Sequence, residues 1–169
     1  MKGHDVLFSK DIQTYSTPPE LFDWVDSVFH FTLDACADKS NHKCAKYYNE
    51  ETNGLLQSWK DETVWINPPY KFTKDWVLKA IDEVYNNECK GVVLLIPART
   101  ETILFHEIID GCFGIVFLKR RIKFSGNKNG APFPSALIIL TNRSILNRSP
   151  VVFLDNKVDK LSDYVDKLI

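Results

Sequence analysis

Asn67-Pro68-Pro69-Tyr70, directly after the apolar burst Thr63 to Ile66, is the stretch of this sequence with the clearest chemical content. Two prolines fix the backbone and remove two amide donors, leaving the Asn67 side-chain oxygen and backbone carbonyls, that of Pro68 above all, as a preset group of acceptors. Such a group suits a planar amino group. It can hold two N–H bonds so that the nitrogen lone pair faces a carbon to be transferred, and it binds those protons more strongly as the nitrogen gains positive charge. No covalent nucleophile is needed, since positioning two substrates in line supplies much of the remaining acceleration. Tyr70 adds a ring on which a base swung out of a duplex can stack. The plain alternative is a proline turn with a capping asparagine and a core tyrosine. Placement after a buried strand, with an upstream strand carrying Asp34 near its end, weighs against it.

A second group is basic. Lys119, Arg120, Arg121, Lys123 and Lys128 fall in a stretch without an acidic residue, and would neutralise phosphates, with Phe124 or Phe133 as a further stacking ring. The alternative is a solvated hairpin whose phenylalanines face the core. Arg99, just past Pro97, could meet a phosphate or cap the following helix. Trp59, Trp65 and Trp76 are assigned to packing. Cys36, His42 and Cys44 could offer three zinc ligands, but their spacing matches no common finger or ribbon, so no metal is expected and the four cysteines are read as reduced thiols.

The elements that must position these residues follow from periodicity. Leu21, Phe22, Trp24, Val25 and Val28, preceded by Ser16-Thr17-Pro18-Pro19, predict a capped helix with proline in its first turn. Strands are predicted at Phe29 to Ala37, Thr63 to Ile66 and Gly91 to Ile96, with helices at Thr73 to Tyr85 and about Thr100 to Ile109. Phe113 to Leu118 and Ala136 to Thr141 read as strands that could pair across the basic loop. From Lys157, Val158, Leu161, Val165 and Leu168 form one stripe of a tail helix. Alternating strands and helices, with short apolar strands, predict an α/β fold: a mostly parallel sheet with helices on both faces. Ligands then bind beyond the carboxyl ends of the strands near a topological switch point, and Asp34, Asn67 and Pro97 with Arg99 all fall at predicted strand ends.

A length of 169 residues predicts a single domain, 1–169, and 44% hydrophobic against 25% charged residues is an ordinary globular balance. No apolar run is long enough to cross a bilayer, and the polar start of the chain does not read as a signal peptide, so a soluble cytoplasmic protein is expected. The net charge of −1 argues against a basic coat over the whole surface.

The chain resembles the phage-type DNA adenine methyltransferases. The resemblance lies in Tyr15-Ser-Thr-Pro18, Phe31-Thr-Leu-Asp-Ala-Cys-Ala37, Lys43-Cys-Ala-Lys-Tyr-Tyr48, Asn53-Gly-Leu55 with Trp59, and Val64-Trp-Ile-Asn-Pro-Pro-Tyr70. It continues through Leu95-Ile-Pro-Ala-Arg-Thr100, Arg121-Ile-Lys-Phe124 and Ala131-Pro-Phe-Pro-Ser135. It implies a Rossmann-like, class I S-adenosylmethionine-dependent methyltransferase fold, and methyl transfer to the exocyclic amine of a flipped adenine in double-stranded DNA. Asn67, Pro68, Pro69 and Tyr70 would be catalytic. Thr17, Pro18, Asp34, Ala35, Asn53, Leu55 and Asn67 would line the cofactor pocket, and Arg99, Lys119, Arg120, Arg121, Lys123 and Phe124 would contact DNA. Two departures stand out. No glycine-rich loop follows the first strand, where Ala37-Asp-Lys-Ser-Asn41 stands instead, and Asn53 replaces a commoner aspartate. The tetrapeptide also suits amino groups of RNA, cytosine or protein glutamine, and an inactive DNA-binding homologue is the reading from another class.

Overall fold

In the computed structural model, which describes residues 16–111, 114–124, 130–141 and 151–154, the strands are β1 (Leu33–Asp34), β2 (Lys46–Tyr47), β3 (Thr63–Ile66), β4 (Gly91–Pro97), β5 (Gly114–Leu118), β6 (Ser135–Thr141) and β7 (Val151–Leu154). They form one sheet in the order β2-β1-β3-β4-β6-β5-β7. β6 runs against both of its neighbours, and every other pairing is parallel. The mostly parallel sheet and the β5–β6 hairpin across the basic loop are as the sequence predicts.

Strand alternation divides the core in two. Val64, Ile66, Val92, Leu94, Ile96, Ala136 and Ile138 point to one face, where α2 (Thr73–Asn86) and α3 (Ile103–Gly111) cover them through Trp76, Val77, Ala80, Val84, Phe105 and Ile108. Trp65, Val93, Leu95, Leu137 and Ile139 point to the other, where α1 (Pro19–Phe29) lays down Leu21, Phe22 and Val25. Helices on both faces explain why the central strands are apolar throughout rather than alternating with polar residues. Trp59, Trp65 and Trp76 are sealed in these cores, as expected. Buried Glu83 binds the Trp59 segment to α2: its carboxylate accepts from the Trp59 amide at 2.7 Å and pairs with Lys79 at 2.5 Å. No helix among the described residues is long and apolar enough to cross a membrane.

Several expectations need correcting. The strand predicted over Phe29 to Ala37 shrinks to Leu33–Asp34, because α1 runs on to Phe29 and reverses at His30 (φ 53°), with Asp26 Oδ1 accepting from the Phe31 amide at 2.6 Å. α1 starts on Pro19 without a side-chain cap, because its N-cap position is held by Pro18, whose side chain has no acceptor. α3 begins later than predicted because Thr102 caps it, its hydroxyl accepting from the Phe105 amide at 3.3 Å. β2 and β7 were not anticipated. The tail helix predicted from Lys157, and Lys128 of the basic loop, lie outside the described residues.

Candidate active site at the strand tips

β1, β3, β4 and β5 run the same way, so their carboxyl ends share one edge of the sheet. The chain leaves β1 outward to β2 and returns past it to β3, which puts the switch point between β1 and β3. Asp34 and Asn67 therefore stand on its two sides, each at a strand end as the sequence predicts.

At the β3 tip, half-buried Asn67 donates through Nδ2 to Thr17 Oγ1 at 3.1 Å, across 50 positions of sequence. That bond fixes the amide plane and leaves the buried Oδ1 as its acceptor end. The Pro69 carbonyl accepts from the Phe72 amide at 2.8 Å, closing a short turn over Tyr70–Phe72, and the Tyr70 carbonyl accepts from the Thr73 hydroxyl at 2.9 Å. Both of those carbonyls serve the turn. The Asn67 amide oxygen and Pro68 are buried beside that turn. The Tyr70 ring meets Phe133 edge-on, with centroids 4.8 Å apart at 85°, and Phe124 at 6.4 Å and 63°.

The β1 tip is built differently. Asp34 is only 3% exposed, and its carboxylate accepts from two backbone amides, Cys36 at 3.3 Å and Lys43 at 3.0 Å. Burial pushes its pKa up to about 6, against the opposing pull of those amides and of the Lys43 charge. Its carboxylate thereby organises the loop that follows β1. Further along, Asp38 and Asn41 close the glycine-free loop on itself, Asn41 Oδ1 accepting from the Asp38 amide at 2.9 Å. The close approach expected of a glycine occurs instead at Gly54, where an added Cβ would lie 2.1 Å from the Ala35 carbonyl oxygen. Asn53 takes the left-handed conformation (φ 48°) that asparagine tolerates, and its side chain accepts from the Leu55 amide at 3.2 Å. Trp59 Nε1 donates to the Gly54 carbonyl at 3.0 Å and holds this turn against Ala35. Thr17, Ala35, Asn53, Leu55 and Asn67 are thereby brought to adjoining strand tips, with Pro18 next to Thr17. His42 stacks on Tyr47 at 4.2 Å, and its Nδ1 lies 3.0 Å from the Cys44 carbonyl.

The basic row leaves β5 at the same edge. Lys119, Arg120, Arg121 and Lys123 are exposed, while Ile122 and Phe124 between and after them turn inward. Ala131 N donates to the Ile122 carbonyl at 2.7 Å and Arg121 Nη1 to the Ala131 carbonyl at 3.2 Å, which pins the two ends of the loop together. Phe124 requires a correction: at 1% exposure it is a core residue that backs Tyr70, and cannot meet DNA as it stands. Half-buried Phe133 is the ring in direct edge contact with Tyr70. Arg99 is exposed, and its carbonyl accepts from the Thr102 amide and hydroxyl, so its backbone enters the turn before α3 while its side chain stays at the surface. Sequence reasoning placed Thr17 in the cofactor pocket but missed its hold on Asn67, and it gave Gly54 no role. Thr17 as the holder of Asn67 leaves no local signal, whereas Gly54, within the motif Asn53-Gly54-Leu55, could have been read as a close backbone approach.

Comparison with known proteins bears on what this edge does. A family model for the DNA N-6-adenine-methyltransferases (Dam) matches residues 7–161. The DNA N-6-adenine-methyltransferase of Escherichia phage T1 is 34% identical over 107 residues, covering 62% of this chain and 44% of that protein, so the match spans under half of the relative's length. The DNA N-6-adenine-methyltransferase of Haemophilus phage HP1 is 32% identical over 124 residues, covering 71% and 70% respectively. A solved protein of Pyrococcus horikoshii, provisionally named an RNA methyltransferase, has a TM-score of 0.49 and 14% identity, covering 83% of this chain and 92% of that one, a likeness too slight to bear on function. With the family match running from before α1 to beyond β7 and taking in both strand tips, the chain belongs to the DNA N-6-adenine-methyltransferase (Dam) family.

Proposed function

We propose that this protein transfers a methyl group from S-adenosylmethionine to the exocyclic N6 amine of an adenine turned out of double-stranded DNA. The observation that carries the reading is the Asn67-Pro68 acceptor pair at the β3 tip, held by Thr17 beside the switch point. Family membership supports the choice of adenine in DNA over the other planar amines.

The adjoining tips of β1 and β3 suit an adenosyl cofactor. Gly54 packed on the Ala35 carbonyl brings the half-buried Leu55 side of its turn against the β1 tip, giving an apolar wall, and Thr17 supplies a hydroxyl near the β3 tip. Thr17, Pro18, Asp34, Ala35, Asn53, Leu55 and Asn67 would hold the group, Asp34 by keeping the loop in shape. When bound, the cofactor supplies an electrophilic methyl carbon on a sulfonium. Asn67 Oδ1 and the Pro68 carbonyl accept the two amine N–H bonds and orient the nitrogen lone pair. They bind the amine more tightly as its nitrogen becomes positive, so they lower the barrier rather than only the binding constant. Pro68 and Pro69 hold that pair without reorganisation, and Tyr70 stacks on the base. Lys119, Arg120, Arg121, Lys123 and Arg99 face phosphates, and the site of action is the cytoplasm that holds the DNA.

Incubating the protein with methyl-labelled cofactor and unmethylated duplex DNA, RNA or protein, followed by nucleoside analysis, tests the reading. Label is expected in N6-methyladenine of DNA. Label confined to cytosine, RNA or protein overturns it. An R120A/R121A double variant should bind DNA with a salt slope smaller by up to about 1.8, at about 0.9 for each phosphate no longer neutralised.

A further inference from the structure

Behind Tyr70, on the side of the sheet covered by α2 and α3, lies a cavity of about 400 Å³ bordered by Tyr70 and Arg99. Its floor is apolar: Ile96, Phe105 and Ile108 are each 2% exposed, with half-buried Leu104 beside them. Its mouth carries two exposed cations, Lys71 and Arg99, and no acidic residue is among the lining side chains. The hydroxyls of Thr73 and Thr102, also on the wall, are occupied by the Tyr70 and Arg99 carbonyls. The space thus offers dispersion contacts within and positive charge at the rim, but few directional hydrogen bonds. That combination suits a flat, largely apolar body bearing an anion, taken without strong discrimination of its edges. Such a ligand is a nucleotide. Its volume falls within the range of small-molecule pockets.

Tyr70 borders this cavity and lies two residues after Pro68, so the cavity and the proposed acceptors share a wall residue and its neighbouring chain. We propose that the cavity is a second nucleotide subsite, which takes the base adjacent to the target adenine on the same strand and holds its phosphate between Lys71 and Arg99. This rests on the DNA-methylating reading above and extends it. Unstacking a second base has an energetic cost. Burial against Ile96, Leu104, Phe105 and Ile108 offsets that cost and makes easily unstacked neighbours the favoured contexts.

The test uses the full chain and short duplexes of a context in which methylated adenine has been found by sequencing DNA from cells expressing the protein. The fluorescent base 2-aminopurine is placed either at the target or at its 5′ or 3′ neighbour. Wild-type protein should raise the signal at the target and at one neighbour. In the L104W variant, whose indole fills the cavity, the neighbour signal should vanish and the target signal remain, with KM for DNA raised about tenfold. On a duplex whose neighbour is abasic, L104W and wild type should be equal. Independently of how well L104W folds, an uncharged methylphosphonate at the neighbour should weaken binding by wild type and not by a K71Q/R99Q variant. A neighbour signal that survives in folded L104W, or methylphosphonate sensitivity unchanged in K71Q/R99Q, overturns the subsite. A silent target probe with no methyl transfer to DNA overturns the underlying reading instead.

Discussion

The two strand tips that flank the switch point solve opposite problems. At β1 the chain carries a carboxylate and turns it inward, where the Cys36 and Lys43 amides satisfy it and burial raises its pKa to about 6. At β3 two prolines delete amide donors, and the Asn67 side-chain nitrogen donates to Thr17 Oγ1. A tip rich in donors closes on itself. A tip stripped of donors keeps its acceptors, and the proposed chemistry rests on them. The first is expected to govern stability and the second rate, and four substitutions sharpen or break that division.

The largest effect should come from N67A. Removing a preorganised polar group aimed at a charging atom costs about 10²- to 10³-fold in rate, roughly 3–4 kcal/mol. Methyl-transfer assays should show that drop with little change in melting temperature. Full activity in the folded variant would remove the β3 tip from the chemistry.

Asp34 gives the next. Its folded pKa of about 6 lies above the ordinary 3.8, so folding favours the protonated form. The stability linked to that proton is fully present below pH 3.8 and is lost as pH rises through about 6, on the order of 3 kcal/mol at 1.36 kcal/mol per unit. Urea melts of wild type should show the fall, and D34N, neutral at every pH, should flatten it. Matching pH profiles for the two proteins would show that the β1 tip stores no such proton.

G54A forces a Cβ onto the Ala35 carbonyl and should cost about 1–3 kcal/mol in denaturant melts. An unchanged midpoint would mean that the Asn53–Leu55 turn yields without resisting. The smallest effect belongs to T17V, which frees the Asn67 amide to rotate. A kcat about tenfold lower at nearly constant KM is expected, about 1.4 kcal/mol, with T17S restoring the rate. A T17V enzyme that keeps its kcat would leave the prolines as sufficient positioning on their own.

What could be read beforehand divides along similar lines. β3 was legible to its last residue because a β-prone burst ends at a proline pair, and β4 because seven residues rich in valine, leucine and isoleucine end on Pro97. The ordering of Asp34, Asn67 and Arg99 at strand ends was equally visible, since each follows an apolar run. β1 was not, because its two residues are defined by neighbours on either side rather than by their own pattern. Thr17 looked like a helix cap by type and position, and only tertiary contact assigns its hydroxyl to Asn67. Phe124 was misread although the signal was present: in Arg121-Ile-Lys-Phe124 the charged residues lie out and the apolar ones lie in, the two-residue alternation of extended chain.

The bond between Thr17 and Asn67 has a dynamic side. Thr17 lies two residues before the start of α1, whose hold on the sheet runs through Phe22 set edge-on to Trp65, two residues before Asn67. Any partial opening that lifts this helix would slacken the alignment of the reactive corner while β4 and β6 stay intact. Heating should therefore quench turnover earlier than it melts the sheet, making activity a sensitive gauge of whether α1 is docked.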